Sequence, residues 1–131
     1  LHEVKEKNDL FESSYLRAGH KEKPDVIVAL HVYLSRDEAD AVASSRPCIQ
    51  RVVDYLIKYR PPRARTLDLD TIKKEKLGVF GTPENTCSIF REYEKIGVTH
   101  IICMVNFGGV PMPDVRRTME LMSKEVFPNF R

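Results

Sequence analysis

Cysteine is scarce in this chain of 131 residues: there are three, Cys48, Cys87 and Cys103. They are odd in number and no two stand in CxxC spacing, which speaks against a disulfide framework or a thiolate metal site. No apolar run approaches the roughly 18 residues of a membrane span, and no signal peptide opens the chain. An excess of one charge is missing too, with 21 Lys and Arg against 19 Asp and Glu and a net charge of +2. Proteins that bind nucleic acid or membrane surfaces need a basic face. The one local basic cluster, Arg60, Arg63 and Arg65, reads as a solvated loop. The HxxEH, HExxH, GxSxG and P-loop spacings are all absent, so zinc, serine-nucleophile and nucleotide hydrolysis have no support. These absences together predict a cytoplasmic protein with reduced thiols and no nucleic-acid or membrane partner. Cys87 and Cys103 fall on apolar helix and strand positions, where burial is expected rather than reactivity.

What is present is enough apolar content, 42%, for one ordinary domain core. Residues 3–18 are rich in helix formers, with Val4, Leu10, Phe11 and Tyr15 loosely at helical spacing and Gly19 as a stop. The run VIVALHVYL at 26–34 is too continuously apolar to have a wet face and reads as a strand covered on both sides. Ser35 and Glu38 stand at capping-box spacing, so a helix is predicted there. Pro47 is expected to kink or interrupt it before the stripe of Ile49, Val52, Val53, Leu56 and Ile57. Residues 61–77 read as an ordered loop with a short helical turn near DLDTIKKEK.

LGVFG is then a short strand, and Thr82-Pro83-Glu84 a compact helix start, followed by Ile89, Phe90, Tyr93 and Ile96 on one face. Gly97 ends that helix, residues 98–105 form a strand, and NFGG follows as a loop. A last helix from about Pro113 carries Val115, Met119, Met122 and Val126. Strands alternating with helices predict an α/β fold with parallel strands in right-handed βα units. The chain begins at Leu1, directly in a charged helical pattern, and reads as cut from something longer.

Three segments in order, VALHVYLSRDEADAVA, GTPENTCSIFREYEKIGVTHIICMVNFGGVP and VRRTMELMSKEVFPNFR, resemble the C-terminal part of the bacterial luciferase-like monooxygenases. The resemblance runs from about residue 25 onward and rests on the ordered set G-T-P-E, G-V, F-G-G and E-V-x-P. It implies a (β/α)8 TIM barrel, with residues 1–131 forming its C-terminal portion of about three βα units. The strands at 26–34, 78–81 and 98–105 would be barrel strands six, seven and eight. It also implies reduced FMN, supplied by a flavin reductase, acting with oxygen on a small-molecule substrate. F420-dependent hydride transfer is a variant within the resemblance. A fragment of this kind is expected to be inactive alone and to associate as a homo-oligomer through its uncovered sheet edge. An alternative of another class is a non-catalytic, barrel-derived module acting through association.

Ligands of βα barrels sit at the C-terminal ends of the strands. Asn106, Phe107, Gly108 and Gly109 are therefore candidates to line a flavin pocket, since glycines let the backbone approach a flat ring. The competing reading is a turn that needs positive φ. Gly81 and Thr82 precede a helix N-terminus able to hold an anion, with ordinary capping by Thr82 as the alternative. His31 shares a strand face with Tyr33 and is the candidate catalytic residue, as pocket floor or proton donor; a satisfied core histidine is the rival reading. His100, near the start of its strand, is assigned no role.

Overall fold

The computed structural model describes residues 1–59 and 67–130. In chain order the elements are α1 (His2–Arg17), β1 (Ile27–Leu34), α2 (Glu38–Tyr59), α3 (Leu69–Lys74), β2 (Gly78–Gly81), α4 (Pro83–Lys95), β3 (His100–Met104) and α5 (Met112–Leu121). After α5 the chain continues as a π-helical stretch, Met122–Val126, and a 3-10 turn, Phe127–Asn129. The expected alternation of strands and helices is present, and all pairing is parallel. The basic cluster Arg60, Arg63 and Arg65 lies outside the described residues.

Strand order departs from the sequence expectation. Three consecutive barrel strands would run β1-β2-β3, whereas the sheet runs β2-β1-β3 with β1 in the middle. The two partners also use different halves of β1. Residues Ile27 to His31 pair with His100 to Met104, and His31 to Leu34 pair with Gly78 to Gly81. β2 is thus displaced toward the C-terminal ends of the strands, and strands six, seven and eight cannot be assigned in simple succession.

Because side chains alternate along a strand, β1 presents Leu30, Val32 and Leu34 to one face. There they join Val79, Phe90, Tyr93, Leu121, Met122 and Val126 in a core closed by α4 and the C-terminal helix. The opposite face is covered only in part. Tyr33 and Phe80 are buried under α2 with Phe107 and Val110. Farther toward the strand starts, Ile27 and Ile102 are 58% and 54% exposed, and Ala29 is exposed between them. The expectation that β1 is covered on both sides therefore holds for its second half only.

Local signals were mostly sound, with identifiable shifts. The helix cap before α2 is Asp37, whose carboxylate accepts from Ala39 N at 2.7 Å. Ser35 instead donates to Asp40 at 2.6 Å, so the capping-box spacing marks the turn but not the cap. α2 runs through Pro47 without interruption. Asp68 caps α3 by accepting from Thr71 N at 2.6 Å, which accounts for the helical turn near DLDTIKKEK. On the last helix Val115, Met122 and Val126 are buried, but Met119 is 56% exposed. α1 buries no residue, and Leu10 and Phe11, placed on its apolar face by spacing, point to solvent.

Candidate functional site

The C-terminal ends of the three strands converge on the loop after β3, and the loop is built against α2. Phe107 is buried, its ring edge-on to His31 (centroids 4.9 Å apart) and to Phe80 (6.1 Å). Gly108 has φ +52, and a Cβ there would lie 1.9 Å from the carbonyl oxygen of Cys48. Arg51 donates through Nε to the Gly108 carbonyl at 2.5 Å, and Gly109, φ +73, lies against the same guanidinium. The glycine pair thus serves a close approach of loop to helix. Asn106 alone among the four is exposed and polar.

Gly81 and Thr82 are likewise engaged within the fold. The Gly81 carbonyl accepts from Ser35 N at 3.0 Å, and Thr82 caps α4 by accepting from Asn85 N at 3.3 Å. Of the six residues singled out for a cofactor, the structure brings Gly81, Thr82 and the NFGG loop to the same end of the sheet. A whole flavin does not fit what they offer. Phe107, Gly108 and Gly109 are occupied by packing on β1, β2 and α2, and Thr82 by capping. A cavity of 690 Å³ lies elsewhere, beside the start of β3 with Gly97, Thr99 and Phe127 in its wall.

His31 lies mid-strand, half-buried below Phe107, and burial lowers its imidazole pKa from the ordinary value. It is therefore neutral near pH 7 and able to both donate and accept a hydrogen bond. Burial also raises the Cys87 and Cys103 thiols, which keeps them protonated and unreactive. His100 is exposed at the opposite end of the sheet.

A polar network that no motif announced stands at the C-terminal end of β1. Tyr33 is 1% exposed, and its hydroxyl accepts from Arg117 Nη2 at 2.9 Å. Burial raises the phenol's pKa, with Ser44 and Asp114 as further hydrogen-bond partners. Arg117 also pairs with Asp114 at 2.9 Å and donates to the Leu34 carbonyl at 3.4 Å. Beside it, Thr118 accepts from Leu34 N at 3.1 Å, and Asp40 accepts from Ser35 and Ser44. These residues come from β1, α2 and α5, and their pairing across the chain leaves no sequence spacing to read. Every member is satisfied within the protein, so the network locks α5 and α2 onto the end of β1. No group of three or more metal-ligating side chains occurs among the described residues, and none of their helices is long and apolar enough to cross a membrane.

No protein-family model matches the chain, and no curated protein matches it. Among solved structures it is similar to the monooxygenase RslO1 from Streptomyces bottropensis, with a TM-score of 0.81 and 21% sequence identity. The likeness covers 99% of this chain and 39% of that one, so the chain spans about two fifths of the length of the monooxygenase it matches. What the likeness establishes is a shared fold: this α/β arrangement, with its central β1 and parallel sheet, is a portion of the RslO1 architecture.

Proposed function

We propose that the chain is the C-terminal portion of a luciferase-like, flavin-dependent monooxygenase that uses reduced FMN and oxygen on a small organic substrate, with a separate flavin reductase supplying the cofactor. The observation that carries this reading is the overlay of nearly the whole chain on part of a monooxygenase, joined to the ordered motifs GTPE, NFGG and EVxP. The register supports a particular arrangement. β1 and β3, paired over Ile27 to His31, are neighbouring staves of a barrel, and β2 is an addition at the rim, paired only with the last residues of β1. The bare half-face with Ile27, Ala29 and Ile102 is then a stretch of barrel interior, covered by strands outside these residues.

On this reading the chain contributes one wall of the site. Phe107, wedged between His31 and Phe80, excludes water from the wall, Asn106 offers an exposed amide at the rim, and neutral His31 lies below it. Flavin-holding groups belong to the rest of the barrel, because the candidate residues here are engaged in packing and capping.

The test is an anaerobic titration of reduced FMN into the longer polypeptide and into this chain, followed by oxygen uptake. Micromolar binding and flavin-dependent oxygen consumption are expected of the longer polypeptide, with weak or no binding by residues 1–131 alone. No binding by the longer polypeptide at micromolar FMN would remove the proposal. A second reading, a module acting through association, is favoured by one observation: β3 is an unprotected edge strand beside the bare Ile27 and Ile102.

A further inference from the structure

A guanidinium that is fixed in place yet has no counter-charge stands at the C-terminal end of the sheet. Arg51, from α2, donates through Nε to the Gly108 carbonyl at 2.5 Å and through Nη2 to Cys48 Sγ at 3.4 Å. Gly109 lies against the same group. A guanidinium carries five N–H donors, so both on Nη1 and one on Nη2 have no partner among the described residues. The residue is exposed and forms no ion pair among them. The acid one turn on, Asp54, takes a hydrogen bond from Gln50 at 2.8 Å instead. Residues 60–66 contain no Asp or Glu to supply the missing charge.

An exposed cation gains little from an ion pair, because holding a long side chain in one geometry consumes most of the attraction. Arg51 is already ordered by the Gly108 carbonyl, so an anion meets a donor set in advance. Its place in the fold is the second argument. Ligands of βα sheets collect at the C-terminal ends of the strands, and Asn106, the exposed amide of the NFGG loop, precedes by two residues the carbonyl that holds Arg51. A carboxylate suits this pair of groups. It brings the single negative charge that one guanidinium matches, and its planar oxygens accept charge-assisted N–H bonds.

We propose that Arg51, with the Asn106 amide, anchors the carboxylate of a small organic acid, and that such acids are the substrate class of the site. The role as substrate anchor rests on the oxygenase reading, whereas the binding itself needs neither flavin nor oxygen.

The probe is benzoate, with benzamide as its neutral counterpart, titrated into the 131-residue chain and followed by NMR at the Arg51 Nε–H and the Asn106 side-chain amide. Saturable shifts with benzoate in the millimolar range are expected, with benzamide about tenfold weaker, the effect of one hydrogen bond to a charged group. Arg51→Gln should lower benzoate affinity by about the same factor. Lys95→Gln, which removes a charge at the other end of the sheet, should leave it unchanged. Absence of saturable shifts, equal affinity for benzoate and benzamide, or equal losses in the two variants overturns the proposal. Inorganic phosphate binding more tightly than benzoate overturns the carboxylate assignment. If Arg51→Gln does not fold, the benzoate-to-benzamide ratio and the Asn106 shifts in the unmodified chain decide the matter. Reduced FMN is titrated into the longer polypeptide alongside. FMN binding without benzoate binding removes the anchor and leaves the oxygenase reading, and benzoate binding without FMN binding sustains the anion site and removes that reading.

Discussion

An alanine at position 108 would place its Cβ 1.9 Å from the carbonyl oxygen of Cys48 and 2.7 Å from the carbonyl carbon. Both atoms belong to the backbone of α2 and cannot swing aside as a side-chain tip would. The loop must retreat until the contact is ordinary. Retreat loosens Phe107 from Phe80 and His31 and stretches the 2.5 Å bond from Arg51 to the Gly108 carbonyl. The left-handed backbone, φ +52, adds about 1–2 kcal/mol for any residue with a Cβ. Partial loss of the Phe107 burial adds about 1–2 kcal/mol, and the exposed Arg51 bond no more than about 1 kcal/mol. The expected sum is about 2–5 kcal/mol, against a total stability of roughly 7–20 kcal/mol for a domain of this size.

Urea unfolding is the assay. With a slope of about 2 kcal/mol/M, Gly108→Ala should lower the midpoint by about 1–2.5 M. Gly97→Ala is the matched control, because Gly97 has φ +90 with nothing within 4 Å of the added Cβ. It carries the backbone strain alone and should cost about 1–2 kcal/mol. The difference between the two variants isolates the contact with α2. If they lie within about 0.5 kcal/mol of each other, the loop is not held against α2, and the glycine pair must be explained by a ligand.

Thr118→Val removes the acceptor for the buried Leu34 amide and should cost about 1–3 kcal/mol, read as a shift in the urea midpoint. Thr82→Ala removes the α4 cap, with an expected loss of about 1 kcal/mol in the same assay. Burial lowers the folded-state pKa of His31 below its ordinary 6.5, so on acidification the unfolded chain takes up this proton first. Its contribution is then complete above about pH 6.5 and lost as pH falls toward the folded value. Midpoints measured from pH 8 to pH 5 should fall more steeply for the unmodified chain than for His31→Phe, and parallel profiles would refute the assignment. Ile102→Lys, on the bare half of the sheet, should change monomer stability by no more than about 0.5 kcal/mol. In sedimentation it should abolish any concentration-dependent association, and association that survives the charge lies elsewhere.

How far the sequence could be read depended on whether the signal was local. The caps at Thr82 and the stop at Gly97 are decided by a few neighbouring residues, and they stand where spacing puts them. The continuous apolar run at 26–34 announced a strand covered on both faces, which holds for its second half. It did not say which neighbour lay on which side, because β1, β2 and β3 pair through residues far apart in the chain. The NFGG loop was legible as a glycine turn at the C-terminal end of a strand. Its true constraint, the Cys48 carbonyl, comes from a helix that pattern reasoning had no means of bringing there. The Tyr33–Arg117–Asp114 network was invisible for the same reason, as tyrosine, arginine and aspartate each read alone as ordinary surface or core residues. Leu10, Phe11 and Met119 show the opposite failure: helical spacing names a face but not whether anything covers it.

The register on β1 has a consequence for how the chain acquires its shape. β2 and β3 follow one another closely in sequence yet never pair, and each adds to β1 at a different height, with His31 the one rung shared by both ladders. β1 is made first and carries two open edges until Gly78–Gly81 and then His100–Met104 emerge. Every ladder contact is long in sequence, and parallel, non-local pairing of this sort forms slowly. During that interval the most apolar segment of the chain is its most available template, so yield on refolding should depend on protein concentration more than final stability does.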